Sequence, residues 1–265
     1  MNVMDCVAIV GAAAWTPQIG TWVFRTLTKP EVSLHLDSKP EIGYTSFGPI
    51  FNVRFALLSE KKDVILNKFS VKLRHESGAS YTFDWDGISE DLSEIQNPMG
   101  PTMSIKKTSL PLIVKVLHTG VAQLFVRFQH KQFKVNFKKY FDPSLAQYNL
   151  LKNSGTLKTE EDINNLVLTR EFNDVIKILN SEFIWSAGKY TVTFKFDSPN
   201  KFSYKEREYT FILNQDDIDI LRKNIETIKV DLLEGAKVDT IPDYKRKEIY
   251  WEWRHPDLQR KDVIR

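Results

Sequence analysis

Apolar and polar residues alternate along much of this chain with a period of two, which is typical of half-buried β-strands. The clearest case is formed by residues 69–75 and 80–86, where apolar side chains occupy every second position on both sides of a short turn that contains Gly78. Two such stretches joined by a glycine-bearing turn predict a β-hairpin. A second hairpin is predicted from residues 121–129 and 132–140, which show the same alternation.

Similar alternation predicts eight or nine strands within residues 31–140 and 189–213. Many short strands joined by short turns are typical of an antiparallel β-sandwich or barrel. Residues 186–196, SAGKYTVTFKF, enter an alternating stretch through a glycine and resemble a late strand of immunoglobulin-like sandwiches. We therefore predict a mainly β fold, an antiparallel β-sandwich with an immunoglobulin-like or barrel-like arrangement as its variants.

Two segments show the longer period of an α-helix instead. A helical insertion is predicted at about residues 142–183, where Asp142 and Pro143 suit the N-cap and first position of a helix. An amphipathic C-terminal helix is predicted to begin after Asn214 and to end at Gly235. Its apolar stripe is made of Ile218, Leu221, Ile225, Ile228 and Leu232.

These elements divide the chain into three predicted parts. Residues 1–29 form an N-terminal apolar helix, and residues 30–214 form the β-sandwich domain with its helical insertion. Residues 215–265 add the amphipathic helix and a charged, aromatic tail.

The N-terminal part contains nineteen consecutive uncharged residues, 6–24. A bilayer core about 30 Å thick is crossed by a helix of roughly 17–25 apolar residues, so this stretch is a candidate membrane anchor. Its apolar members are Val7, Ile9, Val10, Trp15, Ile19, Trp22, Val23 and Phe24. Arg25 and Lys29 follow the stretch, and this basic flank predicts a membrane protein whose main domain faces the cytoplasm.

Pro17 and Gln18 interrupt the same stretch and leave alternatives open. Proline kinks or ends a helix, and an unsatisfied amide is costly in hydrocarbon. The segment is then a helix packed on its own domain or on a second copy, in a soluble cytoplasmic protein. A cleaved signal peptide is disfavoured because Asp5 stands where such peptides carry positive charge.

Composition excludes several classes of function but does not identify one. The chain has 37 basic and 34 acidic residues, a near balance that argues against a dedicated nucleic-acid binder. Its single cysteine, Cys6, excludes an intrachain disulfide and a cysteine-based zinc site. The sequence lacks the phosphate-binding, dinucleotide-binding, nucleophile-elbow and zinc-protease motifs, so neither a cofactor nor a metal is predicted.

One group of residues is a candidate for acid–base chemistry. His75 and Glu76 end one strand of the first hairpin, and Asp84 and Asp86 lie on one face of the other. Paired carboxylates with a nearby histidine suit hydrolytic or ligand-metabolising enzymes. A solvated turn and an acidic surface loop are the ordinary interpretation of the same residues.

Two further groups are candidates for binding. The predicted second hairpin carries a basic surface that consists of Arg127, Lys131, Lys134, Lys138 and Lys139. Such a surface attracts anionic lipid headgroups, which would add to a hydrophobic anchor, and an ordinary solvated strand face is the alternative interpretation. The tail carries Tyr250, Trp251, Trp253 and Arg254, which are residue types enriched at interface hot spots. The ordinary interpretation is that these tail residues cover the sandwich.

The leading functional hypothesis is therefore a non-enzymatic binding module, tethered to a bacterial membrane, that recruits a protein partner or self-associates. Its expected partners are the lipid bilayer and a protein, and nucleic acid is not expected. The alternatives are an enzyme with a dispersed site near His75, Glu76, Asp84 and Asp86, and an assembly subunit that uses its apolar helices.

Overall fold

The computed structural model describes Gly20 and residues 28–95, 103–109 and 113–261, with the main chain alone at 89–95 and 103–109. In this part of the chain the fold is mainly β: one large, curled, mixed sheet of eleven strands, a separate two-stranded sheet and a few helices. The predicted mainly β class is confirmed.

The strands follow one another along the chain with short connections. They are β1 (Glu31–Leu36), β2 (Glu41–Thr45), β3 (Gly48–Glu60), β4 (Val64–Leu66), β5 (Lys68–His75), β6 (Ser80–Ile95), β7 (Met103–Ser109), β8 (Val114–Val116), β9 (Val121–His130), β10 (Gly188–Asp197), β11 (Ser203–Tyr204), β12 (Glu208–Leu213) and β13 (Gln259–Arg260). In the large sheet the order is β11-β1-β3-β9-β6-β5-β10-β12-β13, while β2 pairs with β3 and β7 with β6. The β1–β11 pair is parallel and the other neighbours are antiparallel.

The helices are grouped after β9 and after β12. They are α1 (Lys131–Asn153), α2 (Glu160–Asn164), a 3₁₀ helix (Asn165–Leu168), α3 (Arg170–Ser181) and α4 (Gln215–Thr240). Asn214 caps α4 as predicted: its side chain accepts a hydrogen bond from the Asp217 amide at 2.8 Å, and the Asp217 carboxylate accepts one from the Asn214 amide at 3.0 Å. The helix does not end at Gly235, because it continues to Thr240.

Alternating apolar residues of several strands meet on one face of the sheet and form an aromatic core. Phe55 of β3 lies 5.9 Å from Phe69 of β5 and 6.2 Å from Phe194 of β10, measured between ring centroids. Tyr190 of β10 stacks on Phe211 of β12 at 4.9 Å. Aromatic rings bury large apolar areas, so this cluster supplies much of the driving force for closing the sheet.

Helix α4 packs against this core. The stripe residues Ile218, Leu221, Ile225 and Ile228 are buried in the same cluster as the strand aromatics, and Leu232 packs against it. The stripe predicted from the sequence is therefore occupied within the chain and is not an open surface for a second copy.

Of three predictions about how the strands are arranged, one is confirmed and two are not. The antiparallel sandwich, with its immunoglobulin-like variant, is not confirmed: among the described residues most strands pair edge to edge in one curled sheet, and β4 and β8 pair apart from it. The first hairpin is confirmed by the antiparallel pairing of β5 with β6.

The second hairpin is wrong, because α1 begins at Lys131 directly after β9. Phe133 and Phe137 satisfy the period of two, but together with Phe141 they also have the spacing of four that places side chains on one helical face. Their rings stack in a column with successive centroids 5.3 Å apart. The helical region thus starts about ten residues before the predicted insertion.

The predicted membrane localisation is wrong. In the described part of the chain no helix is long and apolar enough to cross a bilayer, which contradicts the predicted localisation. The predicted N-terminal helix, its anchor residues from Val7 to Phe24 and the flanking Arg25 lie outside the described residues. Lys29 is described and is exposed.

Candidate functional site

A polar cleft of about 410 Å³ lies where β5, β6 and β9 meet the start of α1. It is lined by Asn67, Lys68, Asp84, Trp85, Asp86, Gln129, Lys131 and Lys134. Asp84 and Gln129 are register partners on β6 and β9, and each alternates with core aromatics. Their side chains therefore leave the sheet on the face opposite the core.

A β-bulge shapes one wall of the cleft. Trp85 of β6 pairs with Phe128 of β9, but the next pair joins Gly87 to Arg127, so Asp86 is the extra residue. Such bulges redirect side chains locally. The Asp86 carboxylate accepts a hydrogen bond from Arg127 Nη2 at 2.9 Å. A Cβ at position 87 would lie 3.2 Å from the same Nη2, so Gly87 leaves room for this pair.

The remaining charges of the cleft are unbalanced. Lys68 Nζ lies 3.7 Å and Lys131 Nζ 3.9 Å from the Asp84 carboxylate. Both distances exceed the usual length of a charge-assisted hydrogen bond, so the ammonium groups keep donors available. Lys134 forms no ion pair with the side chains that the structure describes. Three ammonium groups thus face one carboxylate, since Asp86 is matched by Arg127.

The N-terminus of α1 adds to this positive charge. The helix has 23 residues, its N-cap His130 makes no capping hydrogen bond, and its first turn contains no acidic residue. The first amide groups of a helix lack intrahelical partners and carry a positive partial charge. Lys131 and Lys134, both in the first turn, increase this charge further.

Packing under the first turn fixes the helix against the sheet. The ring of Phe133 lies over Gly48 at the start of β3, where a Cβ would overlap it. Gly48 has φ +84°, a left-handed conformation that glycine adopts without strain. The Gln129 amide also donates a hydrogen bond to the Phe47 carbonyl oxygen. The cleft therefore stands on rigid elements.

His130 joins β9 to α1 in surroundings that favour its neutral form. Burial lowers the pKa of its imidazole, and the nearby Glu182 carboxylate only partly opposes this effect. Its ring lies 5.5 Å from the Phe83 ring and 5.9 Å from the Tyr81 ring, between centroids. A neutral imidazole suits a helix N-terminus, where a cation is unfavourable.

The structure brings together two residue groups that the sequence analysis treated separately. Asp84 and Asp86, from the candidate acid–base group, share the cleft with Lys131 and Lys134, from the basic surface. Arg127 reaches it through Asp86. Lys138 and Lys139 are exposed farther along α1 and do not line the cleft.

His75 and Glu76 lie elsewhere. Ser70, the register partner of Asp84, comes five positions before His75 on β5, which corresponds to roughly 16 Å of extended strand. The buried His75 ring contacts Ser77 Oγ at 2.8 Å and the Ala187 carbonyl oxygen at 3.1 Å. These contacts hold the turn, so the four acid–base candidates do not form one site.

The tail lies against the domain. Trp251 packs on the core, and Arg254 pairs with Asp217 at 3.2 Å while its backbone bridges to β2. The ring of Trp253 lies over Gly43. Tyr250 is 73% exposed and is thus the candidate partner-binding residue most open to solvent.

Two features of the cleft were missed in the sequence. Lys68 has no pattern that links it to the lysines of α1, which are distant along the chain. The bulge did have a signal, because a lone glycine inside an alternating strand, here Gly87, often marks one. Within the described residues no cluster of three or more histidine, cysteine or acidic side chains is arranged to hold a metal ion.

Comparison with known proteins does not assign this chain to a family. No protein-family model matches this chain, and no curated protein matches it. One solved structure that it resembles is a family 123 glycoside hydrolase from Clostridium perfringens, with 10% sequence identity and a TM-score of 0.27. The likeness covers 81% of this chain and 37% of that enzyme, so this chain spans well under half of its length. A similarity at this level carries no argument about function.

Proposed function

We propose that this protein is a non-enzymatic binding module that captures an acidic segment of a protein partner in the lysine-rich cleft. The observation that carries the proposal is the excess of positive charge at the uncapped start of α1, where Lys68, Lys131 and Lys134 face a single carboxylate, that of Asp84.

The physical basis is charge complementarity with available hydrogen-bond donors. Ammonium groups held 3.7 and 3.9 Å from Asp84 can turn toward a ligand carboxylate without breaking a short bond. Hydrogen bonds between charged groups are about twice as strong as neutral ones. Trp85 and Gln129 also line the cleft, and packing of the Trp85 ring on Phe69 and the hydrogen bond of the Gln129 amide to the Phe47 carbonyl oxygen hold this wall on the sheet. Complementary charge also speeds the encounter of partners at low salt.

The test is binding of a fluorescent oligoglutamate peptide, followed by anisotropy at two ionic strengths. The triple variant Lys68→Gln/Lys131→Gln/Lys134→Gln is compared with a control that loses the same charge elsewhere, Lys139→Gln/Lys205→Gln/Lys223→Gln. Each control lysine is exposed and lies outside the cleft.

We expect the cleft variant to bind at least tenfold more weakly and the control to bind almost as well as the natural chain. Binding by the natural chain should also weaken as salt shortens the Debye length from about 30 Å at 0.01 M to about 8 Å at 0.15 M. Equal losses in both variants would mean that net charge, not the cleft, attracts the peptide, and the proposal would fail.

An enzyme is less well supported. Asp84 and Asp86 share the cleft, but each carboxylate faces cations and His75 and Glu76 lie far from them. Self-association through the α4 stripe is also less supported, because those side chains are buried in the core.

A further inference from the structure

A second pocket, of about 200 Å³, lies among the helices and is separate from the lysine-rich cleft. It is formed by α1, the 3₁₀ helix, the start of α3 and the last turns of α4. Its walls are Phe141, Ser144, Leu145, Gln147, Tyr148, Leu166, Thr169, Phe172, Leu232, Leu233, Gly235, Ala236 and Asp239. Several of these residues belong to a small apolar cluster of the helical region.

Gly235 is the unexpected member of this lining. It lies inside α4, five residues before the helix ends at Thr240, so it does not terminate the helix. Glycine in a helix interior is destabilising relative to alanine. Apart from its two chain neighbours and the backbone of its own helix, no described atom lies within 4 Å of the position that a Cβ would take, so no packing neighbour requires a glycine there. Packing within the fold therefore does not account for a glycine at this position.

The charges at the polar end of the pocket cancel. Asp239 Oδ2 accepts hydrogen bonds from Tyr148 Oη at 2.7 Å and from Lys152 Nζ at 2.6 Å. One carboxylate is thus matched by one ammonium group, and the remaining walls are mostly apolar. A charged ligand would lose its hydration on entering the pocket and would find no unpaired charge there to compensate. Charged ligands are therefore disfavoured.

We infer that this pocket binds a small, neutral, mainly apolar molecule and that Gly235 keeps it open. The size follows from the volume, because an apolar cavity of about 150 Å³ in another protein takes up benzene. A single ring or a short alkyl chain with one hydroxyl group fits about 200 Å³ and can reach the polar side chains of Ser144, Gln147 or Thr169. This inference does not depend on the proposed function of the lysine-rich cleft.

The experiment uses the full chain with three neutral probes, benzyl alcohol, indole and 1-hexanol, and with benzoate as a charged match for the first. Binding is followed by NMR chemical-shift titration and calorimetry. Gly235→Ala and Gly235→Leu place progressively larger side chains in the pocket. Ala146→Leu adds a similar side chain at an exposed position of α1 that does not line it.

We expect at least one neutral probe to bind saturably, and Gly235→Leu to weaken it at least tenfold while Ala146→Leu leaves it unchanged. Gly235→Ala should raise the midpoint of thermal unfolding by about 2–4 °C and weaken binding less, so a loss of affinity would not reflect misfolding. Absence of saturable binding by all three probes, unchanged affinity in Gly235→Leu, or equal affinity for benzoate and benzyl alcohol would overturn the inference.

Discussion

The indole ring of Trp253 lies directly over Gly43, so closely that a methyl group at position 43 would overlap it. Gly43 is on β2, and its carbonyl oxygen accepts a hydrogen bond from Trp185 Nε1 at 3.0 Å. The tail segment that carries Trp253 also pairs with β2 through Ile42 and Arg254. The contact therefore adds side-chain packing to the backbone pairing that joins the C-terminal tail to the sheet.

Replacing Gly43 by alanine should destabilise the protein by about 1–3 kcal/mol, because the added methyl group overpacks the site and displaces the indole. Chemical denaturation of the natural chain and the variant measures this difference in unfolding free energy. Trp253→Ala removes the obstacle, so Gly43→Ala should cost much less in that background. Gly120→Ala is the control, since the nearest atom to its Cβ would be 3.9 Å away. If the losses of unfolding free energy in the two single variants simply added in the double variant, the contact between Gly43 and Trp253 would be contradicted.

The stability of the protein should fall as the pH decreases through about 6.5. Burial lowers the pKa of His130 in the folded state, so the unfolded chain, with a histidine pKa near 6.5, binds more protons in this range. Protonation then favours unfolding, despite the attraction of Glu182. The variant His130→Phe should show a smaller fall in unfolding free energy between pH 7.5 and 5.5. An identical fall in both proteins would assign the effect to other groups.

Breaking the buried ion pair of α4 should be costly. Glu234 and Lys237 side chains are 2% and 6% exposed, and Lys237 Nζ lies 2.9 Å from Glu234 Oε1. Burial alone acts to raise the pKa of Glu234, but hydrogen bonds from Lys237, the Lys247 amide and Tyr244 lower it overall. Lys237→Met leaves this carboxylate without its cation and should cost about 3–5 kcal/mol in unfolding free energy.

The matched change for that experiment is Lys229→Met, on the same helix. Lys229 pairs with the exposed Glu226 at 3.5 Å, and such surface pairs contribute about 0–1 kcal/mol. Urea denaturation of both variants distinguishes the two environments. Similar losses in the two proteins would show that the Glu234 site is not desolvated in solution.

Replacing Asp84 by asparagine separates the binding module from the enzyme. The carboxylate is the one negative charge that the three lysines of the cleft face, so its removal should strengthen binding of the oligoglutamate peptide. The expected gain is about fivefold, or about 1 kcal/mol, which is the interaction of two unit charges 4 Å apart in water. Anisotropy titration measures it. Weaker binding by Asp84→Asn would show that the carboxylate contributes to the site rather than opposing acidic ligands.

Helices and strands could be predicted from the sequence where the spacing of apolar residues fits either the strand period of two or the helix period of 3.6, but not both. The β5–β6 hairpin and the Asn214 cap of α4 follow from alternation and from a polar side chain beside a helix start, and both are observed. Residues 133–141 satisfy both periods, so the pattern alone could not choose between strand and helix. Packing of Phe133 over Gly48 supports the helix that the structure shows.

The lysine-rich cleft could be predicted only in fragments. The acidic residues of β6 and the basic residues near position 130 were each visible as groups, but their meeting depends on the β6–β9 register and on the bulge at Asp86. Lys68 enters the same cleft through the pairing of β5 with β6. Sequence spacing carries no information on such pairings, because residues distant along the chain become neighbours only when the strands are in register.

The amino-acid sequence by itself determined the mainly β class, the strands that alternate cleanly and the buried face of α4, because these depend on side-chain period and on local capping. Tertiary structure decided that the strands form one curled sheet, that α1 starts at Lys131, and that the tail lies over Gly43. It also placed three lysines around Asp84 and left the pocket at Gly235 open. These features arise from contacts between distant segments, whose free energy depends on how whole elements pack and not on any short stretch of sequence.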